Sequence, residues 1–222
     1  MEEHLVTVKS VEFVTHDVLG IKVSKPAGYN FIPGQATEIA INKPGWRDAR
    51  RPFTFTNLPE EDHLEFTIKT YPEKQGVTNE LLHLKANDEL LLHDVFGAIN
   101  YQGPGLFIAG GAGITPFIAI FRQLQATNQV TGNRLLFANK TRADIIREDW
   151  FRDLLGDAFI NVLSKEKASG YRHGFIGQEL IRENILPEDP HFYLCGPPPM
   201  MDAIQKHFER LQINQHAVVL EV

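Results

Sequence analysis

Up to about residue 102 the apolar positions alternate with polar ones. The runs His4–His16, Gly20–Lys25, Ala36–Asn42, Phe53–Asn57, Leu64–Tyr71 and Glu89–Val95 carry this period of two, with Pro and Gly between them. Such a pattern predicts an antiparallel barrel. One short helix is expected over Thr78–Leu84, capped by Thr78, with Leu81, Leu82 and Leu84 turned inward. Beyond Gly103–Gly105 the pattern changes. Continuous apolar runs at Leu106–Ala109, Leu135–Ala138, Phe159–Leu163 and Phe192–Cys195 read as buried parallel strands, separated by helical patterns near 116–128, 144–155, 177–184 and 199–211. The expected fold class is β + α/β: an antiparallel β-barrel over residues 1–102, then a doubly wound parallel sheet over residues 103–222.

Composition narrows the classes. The chain has 222 residues, 43% of them hydrophobic, which suits one large or two small packed domains. Its net charge is −6 and its basic residues are scattered, so nucleic acid is not expected as a partner. The segment MEEHLVTVKS is acidic with no apolar stretch, and no apolar run reaches the roughly 18 residues of a spanning helix, so neither secretion nor membrane insertion is expected. The single cysteine, Cys195, excludes an internal disulfide and a four-cysteine iron–sulfur cluster, and points to a cytoplasmic location. The nine histidines are dispersed without an H-x-x-x-H pair, so no metal is expected.

Three stretches carry candidate chemistry. LFIAGGAGITPF runs from a buried strand through Gly110, Gly111, Ala112 and Gly113 into a helix opened by Thr115 and Pro116. At the carboxyl end of a parallel strand, free amides, glycines and a helix N-terminus suit a pyrophosphate, although a plain strand-to-helix turn would read the same way. The G-x-G-x-x-G fingerprint fails at Pro116, and the P-loop lysine is absent. In FYLCGPPPMM, Cys195, Gly196 and Pro197 end another parallel strand, which brings the thiol near that turn or simply buries it as a small hydrophobe. In ARRPFTFTN, Pro52 opens a strand whose alternation sets Phe53 and Phe55 on one face and Thr54 and Thr56 on the other. An aromatic face, a hydroxyl and a guanidinium from this stretch suit a flat ring bearing a phosphate, a flavin, against the alternative of a core strand with a solvated arginine. Lys69, Tyr71 and the turn at Gly76, Val77 and Thr78 form a second possible anion site.

Taken in order, RPFT, GVTN, GGAGITPF and CGPPPM resemble the ferredoxin–NADP reductase family over essentially the whole chain. The resemblance implies that Arg51 holds the flavin phosphate, Phe53 replaces the usual stacking tyrosine, and Thr54 bonds flavin N5. It also implies that Gly76, Val77 and Thr78 bind the flavin pyrophosphate, which favours FAD over FMN. Gly111, Ala112, Gly113 and Thr115 then match the NAD(P)H pyrophosphate turn, and Cys195 matches the cysteine beside the nicotinamide. Two departures stand out: Phe53 lacks a phenol, and the chain closes on Val218-Val219-Leu220-Glu221-Val222 instead of an aromatic, so the flavin face is open or covered by Phe96 or another residue.

FANKTRADIIRED resembles the NADH-linked cytochrome reductases of the family, where an acid at the position of Asp144 lies near the adenosine ribose. A carboxylate there favours NADH over NADPH, while Lys140 and Arg142 are the cations that would favour a 2′-phosphate. The implied activity takes hydride from NAD(P)H to FAD and passes electrons to a separate acceptor, expected to be a small redox protein such as flavodoxin or ferredoxin. Lys43, Arg47 and Arg50 are candidates for a basic docking rim. The alternatives are a reductase subunit of a multicomponent complex, and a flavin or nucleotide sensor without turnover.

Overall fold

The computed structural model describes residues 3–186, 191–214 and 218–220; Met1, Glu2, Glu221 and Val222, which entered the reading of the two termini, lie outside the described residues. The first half forms six antiparallel strands, β1 (His4–Thr15), β2 (Val18–Ser24), β3 (Ala36–Ile41), β4 (Arg51–Thr54), β5 (His63–Lys69) and β6 (Glu89–Phe96), in the order β4-β3-β6-β1-β2-β5. A bridge between Phe55 and Phe66 joins the two ends, closing the sheet into a barrel. Strand β1 serves both halves of it, pairing with β6 through His4–Thr7 and with β2 from Val8 to Thr15. Inward residues of the alternating runs, among them Ile21, Ile39, Phe55, Leu64, Phe66 and Leu92, make one apolar core.

Two local expectations need correction. Helix α1 (Val77–Glu80) is capped by Gly76, not Thr78, because the Gly76 carbonyl already accepts the amides of Asn79 and Glu80 at 3.0 and 3.1 Å; a 3-10 turn over Leu81–His83 follows. Leu81 and Leu84 are buried there, and Leu82 is half-buried. Strand β4 stops at Thr54, short of the expected run to Asn57, while the expected alternation holds: Phe53 and Phe55 pack on the barrel core and Thr56 is buried on the opposite, outer face. The second domain covers the outer face: the Arg122 guanidinium donates to the Thr56 carbonyl at 2.9 Å.

The second half is a parallel sheet of β7 (Gly105–Gly110), β8 (Arg134–Asn139), β9 (Phe159–Leu163), β10 (Arg172–His173), β11 (His191–Cys195) and β12 (Val218–Leu220), in the order β10-β9-β8-β7-β11-β12. Helices α2 (Thr115–Ala126), α3 (Glu148–Leu155), α4 (Gln178–Asn184) and α5 (Pro198–Arg210) cover both faces. One face carries Phe107, Phe117, Phe121, Phe137 and Phe151, the other Leu106, Ile108, Leu136, Ile204 and Phe208, which is why the strands read as continuous apolar runs. The edge strands β10 and β12 are two and three residues long, too short to leave a periodic signal. Helix α3 begins at Glu148 instead of residue 144, since Arg142–Asp144 form a separate 3-10 turn and Arg147 takes the left-handed conformation, φ 54° and ψ 39°.

The two halves are joined by shared residues. Val18, at the start of β2, and Ile99, just past β6, belong to the core of the second domain, with Val14 half-buried against it. The Tyr193 hydroxyl donates to the Gly103 carbonyl at 2.7 Å and accepts the amides of Gln102 and Gly103 at 2.9 and 3.1 Å, pinning the connecting segment to β11. Among the described residues no helix is long and apolar enough to cross a membrane.

Candidate functional site

Two adjoining regions hold the candidate residues. On the barrel, the pairings Ile39–Arg51, Thr37–Phe53 and Ala36–Thr54 fix the register of β4. Arg51 keeps its guanidinium at the surface, where it donates to the Arg50 carbonyl at 2.6 Å. Phe53 is half-buried against the barrel core and Thr54 is buried. Ala36 also pairs with Phe96 on β6, so Thr54, Ala36 and Phe96 form one row across three strands and point to the same face. Phe96 is 42% exposed, an aromatic standing in the row of Thr54. The Gly76 turn opens α1, and a side-chain methyl at Gly76 would meet nothing within 4 Å. Tyr71, just upstream, lies under the Lys74 ammonium.

On the second domain, Gly111–Ile114 form a 3-10 turn at the carboxyl end of β7 and lead directly into α2. Gly111 has φ 52°, a conformation that glycine adopts without strain, and its open side faces no atom within 4 Å. Gly113 has the opposite environment: a Cβ there would lie 2.7 Å from the Cα of Gly196 and would overlap the Cys195 carbonyl. Close approach of two backbones therefore requires Gly113, and it brings the turn and Cys195 together. Register adds to this, because Cys195 pairs with Ala109 on β7. The thiol is buried, Pro197 caps α5, and Thr115 donates its hydroxyl to the Ala112 carbonyl at 3.0 Å. The turn also packs against β5 of the barrel.

Other sequence candidates lie elsewhere. Lys69 and Asp144, assigned to two different ligands, face each other across the domain seam: the Lys69 ammonium is 2.5 Å from Asp17 and 3.9 Å from Asp144. Asp144 accepts the hydroxyl and amide of Thr141 at 2.7 and 2.8 Å, a capping box that turns its carboxylate back onto its own turn. Burial raises the pKa of this carboxyl, but the Thr141 bonds, Lys69 and His16 override that and hold it below the usual carboxylate value. His16, Asp17 and Asp144 bring potential metal-ligand atoms within 4.8 Å of one another, and Lys69 supplies the cation there. The expected basic rim is also paired: Lys43 with Glu80 at 3.6 Å, Arg47 with Glu3 at 3.4 Å and Arg50 with Glu38 at 4.0 Å, so the loop is charge-balanced.

Sequence reasoning passed over two residues at the carboxyl edge of the sheet. Glu166, three residues after β9, accepts the Arg142 amide at 2.8 Å, and the Arg142 guanidinium lies over the Tyr171 ring. Phe175, between Gly174 and Ile176, is 86% exposed. Their signal was position, since both follow β9 at the same edge as the glycine turn.

Comparison with known proteins finds two family models along the chain. Residues 4–116 match the model of an FAD-binding domain, and residues 107–206 match that of an oxidoreductase NAD-binding domain. The reductase component of propane 2-monooxygenase from Mycolicibacterium smegmatis is 31% identical over 216 residues, covering 88% of this chain and 60% of that protein. NADH-cytochrome b5 reductase 2 from Mycosarcoma maydis is 25% identical over 221 residues, covering 89% of this chain and 63% of that one. The structure of a ferredoxin NADP+ reductase from Neisseria gonorrhoeae with bound FAD and NADP superposes with a TM-score of 0.84 at 18% identity, covering 100% of this chain and 98% of that one. The chain belongs to the ferredoxin–NADP reductase family, with an FAD-binding domain followed by an oxidoreductase NAD-binding domain. It spans about three fifths of the length of the relatives it matches by sequence.

Proposed function

We propose that this chain is an FAD-dependent NAD(P)H reductase that delivers electrons to a separate redox protein, acting as the reductase part of a larger oxygenase or electron-transfer system. One observation carries the reading: Gly113 presses the glycine turn onto the Cys195 backbone, while the same turn rests on β5 of the barrel, so both candidate ligand regions meet at one seam. The residues fit the groups. Arg51 at the surface and the unobstructed Gly76 turn suit two phosphates, which favours FAD, and the half-buried Phe53 offers a ring face. When bound, FAD accepts the two electrons of a reduced nicotinamide and gives them up singly or in pairs.

The chain's own residues bind and align. Arg51 and the turn at Gly76, Val77 and Thr78 hold the flavin phosphates, with Pro52 setting the start of the strand that carries Phe53 and Thr54. Thr54 presents its hydroxyl beside the reacting edge. The turn at Gly111, Ala112, Gly113 and Thr115 receives the nicotinamide dinucleotide pyrophosphate at the N-terminus of α2. Cys195, Gly196 and Pro197 shape the nicotinamide end. Cys195 is a positioning group; no protein acid or base is needed for hydride passage. Phe175 offers a face for the adenine at the other end. Asp144 is engaged with Thr141 and Lys69 in the seam, so the preference for NADH rests on the relatives named NADH-cytochrome b5 reductases. The division at residues 102 and 103, the reducing cytoplasm and the oxygenase or ferredoxin partner belong to the same proposal, the last because the relatives are reductase components of oxygenase systems.

The test is anaerobic mixing of the FAD-loaded protein with NADH and, in parallel, NADPH. Bleaching of the flavin band within seconds, faster with NADH, is the expected result. A protein that binds FAD and both nucleotides without bleaching is a sensor, and the reductase reading fails.

A further inference from the structure

Strand β5 has an outer face that the barrel does not use. Leu64, Phe66 and Ile68 point into the barrel core, so Glu65, Thr67 and Lys69 point away from it, yet Glu65 is only 6% exposed. The second domain buries this carboxylate. Arg147 donates to Glu65 Oε1 at 2.7 Å, and Arg122 approaches the same oxygen at 3.8 Å. From the barrel, Thr56 donates its hydroxyl to Oε1 at 3.2 Å and the Lys22 ammonium lies 3.9 Å from Oε2. Arg122 also donates to the Thr56 carbonyl at 2.9 Å and to Glu61 at 2.7 Å.

Taking a carboxylate and two guanidiniums out of water costs about what their attraction returns, so this cluster adds little net stability over an apolar seam. What it adds is directional. Arg147 holds a left-handed backbone that a non-glycine residue adopts at a cost, and its guanidinium still reaches Glu65. Alongside lies a cleft of about 550 Å³, lined by Glu65, Arg122, Arg147, Lys22 and Trp150 among others, so on this side the domains are held by charges and not by packed side chains.

The cluster sits between the two ligand regions. Thr56 follows Thr54 by two residues, and Arg122 lies two helical turns along α2 from Thr115, where the glycine turn ends. Both the strand that carries Thr54 and the helix that opens at the nicotinamide turn are thus tied to one carboxylate. We infer that Glu65 is a positioning residue, which fixes the separation of the flavin and nicotinamide sites through Arg122 and Arg147. This rests on the reductase reading above. Displacing the sites by about 1 Å is enough to slow a step that depends on alignment.

The experiment compares wild type with Glu65→Leu and Glu65→Gln. In Glu65→Leu the rate of flavin bleaching by NADH falls at least tenfold, the deuterium isotope effect from labelled NADH rises, and FAD affinity stays within twofold. In the flavin-free protein, hydrogen exchange quickens over residues 119–126 and 144–152 while the melting temperature holds within a few degrees. Glu65→Gln keeps the size and an acceptor oxygen but loses the charge that faces Arg122 and Arg147, so it recovers only part of the rate and stays at least threefold slower than wild type; if the leucine variant does not fold, an unchanged rate in Glu65→Gln alone overturns the inference. Wild-type bleaching with unchanged rates in both variants overturns the inference. So does loss of FAD in parallel with rate, which marks a merely structural residue. Failure of wild type to bleach overturns the reductase reading instead.

Discussion

Gly111 and Gly113 stand two residues apart in the same turn, and alanine is expected to act differently at each. At Gly111 the side chain enters open space and the cost is conformational, about 1–2 kcal/mol for the left-handed backbone. At Gly113 the methyl group runs into the Cys195 carbonyl and the Gly196 backbone, neither of which can rotate away. Gly113→Ala should weaken NADH binding at least tenfold in a titration and slow flavin bleaching, with FAD content unchanged; Gly111→Ala should cost stability more than affinity. Residue types in motif order were enough to bring these glycines and Cys195 to one edge. The engagement of Asp144 was also present in the sequence: Thr141-Arg142-Ala143-Asp144 has capping-box spacing, which turns the carboxylate onto its own backbone.

At the scale of elements, β11 organises the connection between the halves through Tyr193. Its ring is fully buried between Phe107 and Tyr101, and its hydroxyl holds the segment at Gln102 and Gly103. Burial, only partly offset by the two amides that donate to it, pushes the hydroxyl pKa from 10 up to about 12. A raised folded pKa means stability that is complete below pH 10 and is lost as pH climbs towards about 12, in total about 2–3 kcal/mol. Tyr193→Phe should remove that alkaline slope and cost about 1–3 kcal/mol at neutral pH, because the amides it capped lose their acceptor. Chemical denaturation at several pH values measures both. The strands of the sheet core were legible because two covered faces leave uninterrupted apolar runs. Strand β5 was legible only by half: period two separates Leu64, Phe66 and Ile68 from Glu65, Thr67 and Lys69, but it cannot tell water from a second domain on the polar side.

For the whole molecule, the change of pattern at Gly103–Gly105 showed two architectures in succession, while the seam between them stayed hidden. Its contacts join residues far apart in sequence, such as Glu65 with Arg147 and His16 with Ala143, and they are polar or single apolar side chains with no period. The seam also makes the halves unequal. The second domain takes Val18 and Ile99 into its core, whereas among the described residues the barrel core contains none beyond Val95. Residues 103–222 alone should therefore bind ANS and melt without a sharp transition, while residues 1–102 keep their near-ultraviolet signal. A cooperative melt of the 103–222 fragment would show that the borrowed residues are dispensable.

That loan has a direction in time. The hairpin from Val14 to Val18 leaves the ribosome roughly 100 residues before α2 is complete, which at about 5–20 residues per second leaves its apolar tip uncovered for roughly 5–20 s. Until α2 is made the polar side of β5 faces water, while Val14, Val18 and, once β6 is complete, Ile99 wait uncovered for the sheet. The barrel is thus the template on which the later half assembles, and exchanging the order of the two halves along the chain would leave the sheet waiting, with a gap in its core, for a wall not yet made.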